Sequence, residues 1–225
     1  LAVATAFHAA GARVFICDID DAALGRAAAA LPGLLVRRCN IGDRADAIAM
    51  VAEATLKMGG IDVLVNNAGI GGPTAPAHEM DPADWDAVLR VNLTGAFDVA
   101  RAVIPSMIDA GRGAIINMAS AAGRFGYANR SPYAASKWAL IGLTKSLSME
   151  LGQHRIRVNA VAPGAVAGER ADRVFGGRAQ LSGRSVDEEK RLGLANQSIP
   201  ELVDPADIAA LVVFLASDAA KSISG

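Results

Sequence analysis

Short, nearly unbroken apolar runs alternate with helical patterns along this chain, and that alternation restricts its fold more than any other feature. Arg13–Cys17, Leu34–Arg38, Ile61–Val65, Gly113–Ala119 and Arg155–Val161 are rich in β-branched residues. Runs of that length with apolar residues at successive positions fit strands of a parallel sheet covered on both faces. Between them, helices are expected near Asp21–Ala30, Arg44–Lys57, Pro82–Ala110 and Pro132–Gly152, and a last one over Pro205–Ala216. Asp43, Asp81 and Asp204 are suited to cap helix starts, and Pro82 fits a first helical turn. Strictly alternating β and α elements require right-handed crossovers and a doubly wound α/β sheet with helices on both faces. The 225 residues hold no internal repeat or low-complexity linker and read as one domain, residues 1–225. With 52% hydrophobic residues but only 4% aromatic, the core must be aliphatic.

Several function classes fall away on composition. A net charge of −1 without a long basic run argues against a nucleic-acid or membrane-surface partner. No apolar stretch approaches the ~20 residues of a membrane span, and no signal peptide is visible. Cys17 and Cys39 each close a predicted strand, with no Cys-x-x-Cys motif, and His8, His78 and His154 lie on separate elements. They argue for reduced thiols in a cytoplasmic protein, with no metal site.

Chemistry enters with Tyr133-Ala134-Ala135-Ser136-Lys137. Residues four apart on a helix share a face, so the ammonium can lie beside the phenol. Free tyrosine has a pKa of about 10 and is a poor base at neutral pH. A neighbouring cation favours its phenolate and can lower such a pKa by roughly 1–3 units. Ser131-Pro132 reads as an N-cap followed by a first-turn proline, which places Tyr133 at the positive end of the helix dipole. By itself this pair is also what an ordinary helix surface offers.

Four further motifs follow a consistent order. Asn66-Asn67-Ala68-Gly69 closes one strand, and Val91-Asn92-Leu93-Thr94-Gly95 lies inside a helical stretch. Ile115-Ile116-Asn117-Met118-Ala119-Ser120 is a strand ending in serine, and Asn159-Ala160-Val161-Ala162-Pro163-Gly164 ends another. Together with Tyr133 and Lys137 they resemble the short-chain dehydrogenase/reductase family, over residues 1 to 225. The resemblance implies a Rossmann-like fold that binds a nicotinamide cofactor. It implies catalytic roles for Asn92, Ser120, Tyr133 and Lys137: Ser120 bonds the reacting oxygen, Tyr133 is general acid/base, and Lys137 holds the nicotinamide ribose. Asn92 anchors a water that connects Lys137 to solvent. By comparison, the family's first strand, its Gly-x-x-x-Gly-x-Gly turn and its last strand are missing. The chain therefore reads as a longer protein truncated at both ends. In the strand order 3-2-1-4-5-6 the missing first strand lies between two strands that are present, so the isolated segment is expected to be poorly folded.

The remaining cofactor candidates follow the same resemblance. Asp18, at the end of its strand, can accept both ribose hydroxyls and repel a 2′-phosphate, favouring NAD. It could also be a simple loop cap. Asn40 and Ile41 stand where the adenine is contacted, and Asn67, Ala68 and Gly69 pass the adenosine ribose. Pro163, Gly164 and Val166 lie against the nicotinamide. A threonine commonly found a few residues later is replaced here by Ala167-Gly168-Glu169. The segment from Ala165 to Pro200 is expected to be a long polar loop acting as a substrate lid. Its Arg170, Arg173, Arg178 and Arg184 are expected to pair with Asp172 and Asp187, or else to meet an anionic substrate or another subunit. Trp85 is placed on helices that form homodimer or homotetramer bundles in the family. The reading is an NAD-dependent enzyme acting on a secondary alcohol or ketone. The alternative is a truncated or degenerate member acting as a non-catalytic binding or oligomerisation protein. Enoyl reductases of the same superfamily space the tyrosine and lysine more widely.

Overall fold

The computed structural model describes residues 1–195 and 197–225. Its strands are β1 (Phe15–Asp18), β2 (Leu35–Arg38), β3 (Val63–Asn66), β4 (Gly113–Met118) and β5 (Ile156–Val161), all paired in parallel. Helices α1 (Ala2–Ala9), α2 (Asp21–Ala30), α3 (Arg44–Met58), α4 (Pro82–Leu89), α5 (Ala96–Ala110), α6 (Ser131–Leu151), α7 (Glu169–Ser182), α8 (Val186–Leu194) and α9 (Pro205–Ala216) connect or flank them. The architecture is Rossmann-like.

Neighbouring residues of a strand point to opposite faces, and β4 shows how this builds two apolar layers. Ile115 is fully buried against Val103 and Met107 of α5 and Leu147 of α6, with Met50 and Val51 of α3 in the same cluster. Ile116, also fully buried, joins Val161, Val212 and Leu215, with Val3 and Phe7 of α1 packed on the edge. The core is aliphatic, as the composition required.

The sheet is divided. β1 pairs only with β2, while β3, β4 and β5 form a separate ladder. A cleft of about 700 Å³ runs between β1 and β3, lined by Phe15, Ile16 and Cys17 on one side and Val63, Leu64 and Val65 on the other. β1 and β3 were expected to be buried on both faces, but their residues are half-buried or exposed. No described strand lies between them to cover those edges. Along β5, the Gly225 N–H donates to the Val158 carbonyl (2.8 Å) and the Val158 N–H to Ser224 Oγ (3.1 Å).

Three local expectations change. The single helix expected over Pro82–Ala110 is interrupted by a π-turn at Arg90–Gly95, where Gly95 packs on the chain at Ile41. A Cβ there would fall 2.5 Å from the Ile41 carbonyl oxygen, so only glycine allows this approach. Helix α6 begins at Ser131 itself, so its N-cap is Arg130, whose side chain makes no capping bond. The polar segment expected as a loop instead contains α7 and α8. Ser185 caps α8 through the Glu188 N–H, and Gly183 ends α7 with φ 73°. Polarity here marks surface helices: both have acidic residues in the first turn, and Ser185 caps the second.

Candidate active site

Tyr133 and Lys137 lie one turn apart on α6, with Lys137 Nζ 5.6 Å from the centre of the Tyr133 ring. Lys137 is only 3% exposed. Its ammonium donates to the Met118 carbonyl at the end of β4 (2.6 Å). Burial, and secondarily the positive charge of Arg170, lower its pKa to about 8. We therefore expect the Lys137 side-chain ¹⁵N resonance to titrate near pH 8. In Arg170→Ala the midpoint should rise, because a repelling cation has gone. A midpoint above 10 in the unaltered protein would refute the burial argument.

Asn92 occupies the π-turn, an extra-residue geometry common at functional sites. It is 1% exposed and holds three partners. The Ile70 N–H donates to its Oδ1 (2.7 Å), while its Nδ2 donates to the Ile70 carbonyl (2.9 Å) and to Ser136 Oγ (3.1 Å). Ser136 Oγ in turn donates to the Tyr133 carbonyl (2.7 Å). Ser136 thus ties Asn92 to the start of α6, a linking role that its place in the motif did not announce. Gly69 sits so close that a Cβ there would lie 3.0 Å from Asn92 Oδ1 and 3.8 Å from Lys137 Nζ.

Ser120 follows β4 and caps a short turn by accepting from the Ala122 N–H (3.2 Å). It makes no hydrogen bond to Tyr133 or Lys137. Its placement comes from the next residues: Gly123 lies against α6, where a Cβ would be 2.7 Å from the Lys137 carbonyl oxygen. The turn after Ser120 thus packs on α6, and Asn92 is joined to the Tyr133 carbonyl through Ser136.

The cofactor candidates lie after the carboxyl ends of the strands, where open α/β sheets place ligands. Asp18, Ile41, Asn67 and Ala68 border the cleft between β1 and β3. Asp18 is exposed, with Oδ1 accepting from the Asp20 N–H (3.1 Å). Asn40 is also exposed, but its side-chain oxygen accepts from the Gly42 N–H (3.0 Å) and serves its own turn. The Pro163 carbonyl accepts from the Ala121 N–H (2.8 Å), which links the β5 loop to the turn after Ser120. Gly164 lies against the Gln197 amide, whose Oε1 accepts from the Ala165 N–H (3.2 Å). Val166 bridges to Val203. Gln197 was missed from sequence because nothing local marks a side chain that folds back over thirty residues. Among the described residues no cluster of His, Cys, Asp or Glu could hold a metal ion, and no helix is long and apolar enough to cross a membrane. Cys17 and Cys39 are unbridged; burial raises both thiol pKa values, Cys39 to about 12.

The arginines of the expected lid do not take their expected partners. Arg173 reaches Glu169 (3.9 Å), and Arg184 reaches Glu189 (3.1 Å) and Glu188 (4.0 Å). Each of those carboxylates is four or five residues away in the chain, so folding of α7 and α8 brings them within reach. Arg170 crosses to the Gly69 carbonyl, and Arg178 stacks on Tyr127, its Cζ 4.9 Å from the ring centre.

Comparison with known proteins gives the family. A family profile described as "Enoyl-(Acyl carrier protein) reductase" matches residues 1–225. The D-beta-hydroxybutyrate dehydrogenase of Cupriavidus necator is 35% identical over 230 residues, covering 100% of this chain and 89% of that protein. Among solved structures, a variant actinorhodin polyketide ketoreductase with NADPH superposes with a TM-score of 0.94 at 32% identity, covering 99% of this chain and 87% of that one. An NAD⁺-bound xylitol dehydrogenase gives a TM-score of 0.94 at 30% identity, covering 99% and 89%. A fold shared at this level, with sequence identity along the whole chain, places the protein: it belongs to the short-chain dehydrogenase/reductase family of oxidoreductases.

Proposed function

We propose that this protein is an NAD-dependent dehydrogenase that interconverts a secondary alcohol and its ketone. The observation that carries the reading is the joined set of Tyr133, Lys137 and Asn92, beside a cleft bordered by Asp18. The residues present fit a nicotinamide dinucleotide in part. Asp18 can take the adenosine ribose, Asn67 and Ala68 leave backbone exposed beside it, and Lys137 with Pro163, Gly164 and Val166 serves the nicotinamide end. No Gly-x-x-x-Gly-x-Gly turn for the pyrophosphate occurs among these 225 residues. When bound, the nicotinamide accepts the hydride from the carbinol carbon.

The protein's own part is to hold the alcohol oxygen and remove its proton. Ser120 Oγ donates to that oxygen, and the Tyr133 phenolate takes the hydroxyl proton. Lys137, a buried ammonium beside the Tyr133 ring, can hold the nicotinamide ribose next to the proton transfer. Asn92 positions a water through which the proton leaves. Tyr133 and Lys137 stand one turn apart, which favours alcohol–ketone chemistry over enoyl reduction. Exposed Trp85 on α4 and Phe97 on α5 support assembly through these helices as a homodimer or homotetramer, and the cytoplasmic placement rests on the reduced thiols.

Asp18 decides between the two cofactors because its carboxylate accepts hydroxyls and repels phosphate. Fluorescence titration is expected to give tighter binding of NADH than NADPH. Asp18→Ala should lower that preference by about 10-fold or more, the loss of roughly one charge-assisted contact. An equal affinity for both cofactors in the unaltered protein would remove Asp18 from this role.

A further inference from the structure

Arg130 is a buried cation without a counterion. It precedes α6 and is 3% exposed. Its Nη2 donates to the Gly71 carbonyl (2.7 Å) and its Nη1 reaches Thr74 Oγ1 at 3.5 Å. Nε is buried with no hydrogen-bond partner among the described residues. Arginine does not release its proton to escape such a site, as a lysine can, and charged side chains are rarely buried unless paired. What surrounds the guanidinium is aromatic: its Cζ is 5.8 Å from the Tyr127 ring centre and 5.4 Å from that of Tyr133. Ring faces hold a planar cation in place but carry no net charge.

More positive charge converges here. Arg178 lies over the same Tyr127 ring and 6.0 Å from the Phe175 ring, and Arg170 reaches the Gly69 carbonyl. Lys137, one turn along α6, has its Nζ 5.6 Å from the Tyr133 ring centre. Arg37, Arg38, Arg44, Arg112, Arg173 and Arg184 all form ion pairs. Arg130, Arg170 and Arg178 form none among the described residues, nor do Arg13, Arg26, Arg90, Arg101, Arg124, Arg155, Arg157 and Arg191; what sets Arg130 apart is its burial. Glu189, on the neighbouring helix, is already taken by Ser182 Oγ (2.7 Å) and Arg184 (3.1 Å). Arg130 and Tyr127 lie beside Tyr133 and Arg178 beside Tyr127; none of the three lines the β1–β3 cleft.

We infer that the substrate carries a small oxyanion head group, a carboxylate or sulfonate, held by Arg130 and Arg178 a short chain away from the carbinol that meets Tyr133. This inference rests on the alcohol dehydrogenase reading and narrows its substrate class to short hydroxy acids, hydroxy sulfonates and the matching ketones. The Arg178 guanidinium and the unpartnered Nε–H of Arg130, both held against aromatic rings, suit an anion with more than one oxygen.

The test compares matched substrates on the full chain with NAD: a short secondary hydroxy acid, its primary amide, the corresponding hydroxy sulfonate and the unsubstituted secondary alcohol. The acid or sulfonate is expected to exceed the amide in kcat/KM by about 10-fold or more, and their ratio separates the two head groups. Arg178→Ala should erase most of that preference through KM. Arg130→Lys, which keeps the charge but loses the fork, provides a second variant if larger changes at Arg130 prevent folding. Independently, the Arg130 Nε ¹⁵N resonance should shift on titration with acetate or methanesulfonate at constant chloride, but not with acetamide. Turnover of the amide and plain alcohol as fast as the acids, with no resonance shift, would overturn the oxyanion inference and leave the dehydrogenase reading standing. Anion binding that is lost in Arg178→Ala, in a protein that oxidises none of the four compounds, would keep the anion site and sink the dehydrogenase reading. Anion binding unchanged in both variants would overturn the assignment of Arg130 and Arg178.

Discussion

Tyr133→Phe is expected to lower kcat by about 10²-fold to 10⁴-fold, the range supplied by a positioned acid/base, while leaving the fold and NADH affinity close to those of the unaltered protein. The contacts explain the separation. Arg130, Lys137 and Tyr127 meet the Tyr133 ring, which phenylalanine retains. Among the described residues no hydrogen bond depends on the phenolic oxygen, so its loss leaves none of them without a partner. The thermal midpoint should therefore stay within a few degrees while alcohol oxidation and ketone reduction both collapse. The measurement is steady-state turnover in both directions beside a melting curve and an NADH titration. Near-unaltered turnover would remove Tyr133 from the chemistry. A collapse of turnover accompanied by an equal collapse of the melting curve would show instead that the hydroxyl is structural.

Asn92→Ala should fail differently, losing stability and turnover together. Its amide closes a reciprocal pair with the Ile70 backbone and bonds Ser136, which holds the Tyr133 carbonyl. Alanine leaves those groups to rearrange or to remain unpaired, at a cost of roughly 1–3 kcal/mol. For a chain of this size that corresponds to a fall of about 3–10 °C in thermal midpoint. The loop after β3 and the first turn of α6 are then no longer pinned together, and kcat should fall by about 10-fold or more, as small misplacements at a reacting centre are costly. Calorimetry and turnover on the same sample distinguish the outcomes. An unchanged midpoint would mean that the π-turn does not need its amide, and an unchanged kcat would confine Asn92 to a packing role.

The alternation of apolar runs with helical periods determined the fold class, because only a parallel sheet with helices on both faces buries such strands. The spacing of Tyr133 and Lys137 likewise set their one-turn relation, since helix geometry alone places residues four apart on one side. Strand and helix limits were legible to within a few residues wherever a cap or glycine marked them, as at Asp43 and Asp81. What pattern could not show depends on partners distant in the chain. The break at Asn92 arises from bonds to Ile70 and Ser136, far from the helix it interrupts. Helices α7 and α8 were hidden because their polar composition reads as loop, although Ala171, Phe175 and Leu194 give them a buried face, and their salt bridges exist only once they form. The division of the sheet shows in the pairing of β1 and β3, each with one neighbour and a cleft between. Above all, nothing in the local sequence distinguishes Arg130, the residue before α6. Only tertiary packing buried its charge between two tyrosines and left it without an anion, because burial and counterions are properties of the assembled surroundings and not of local sequence.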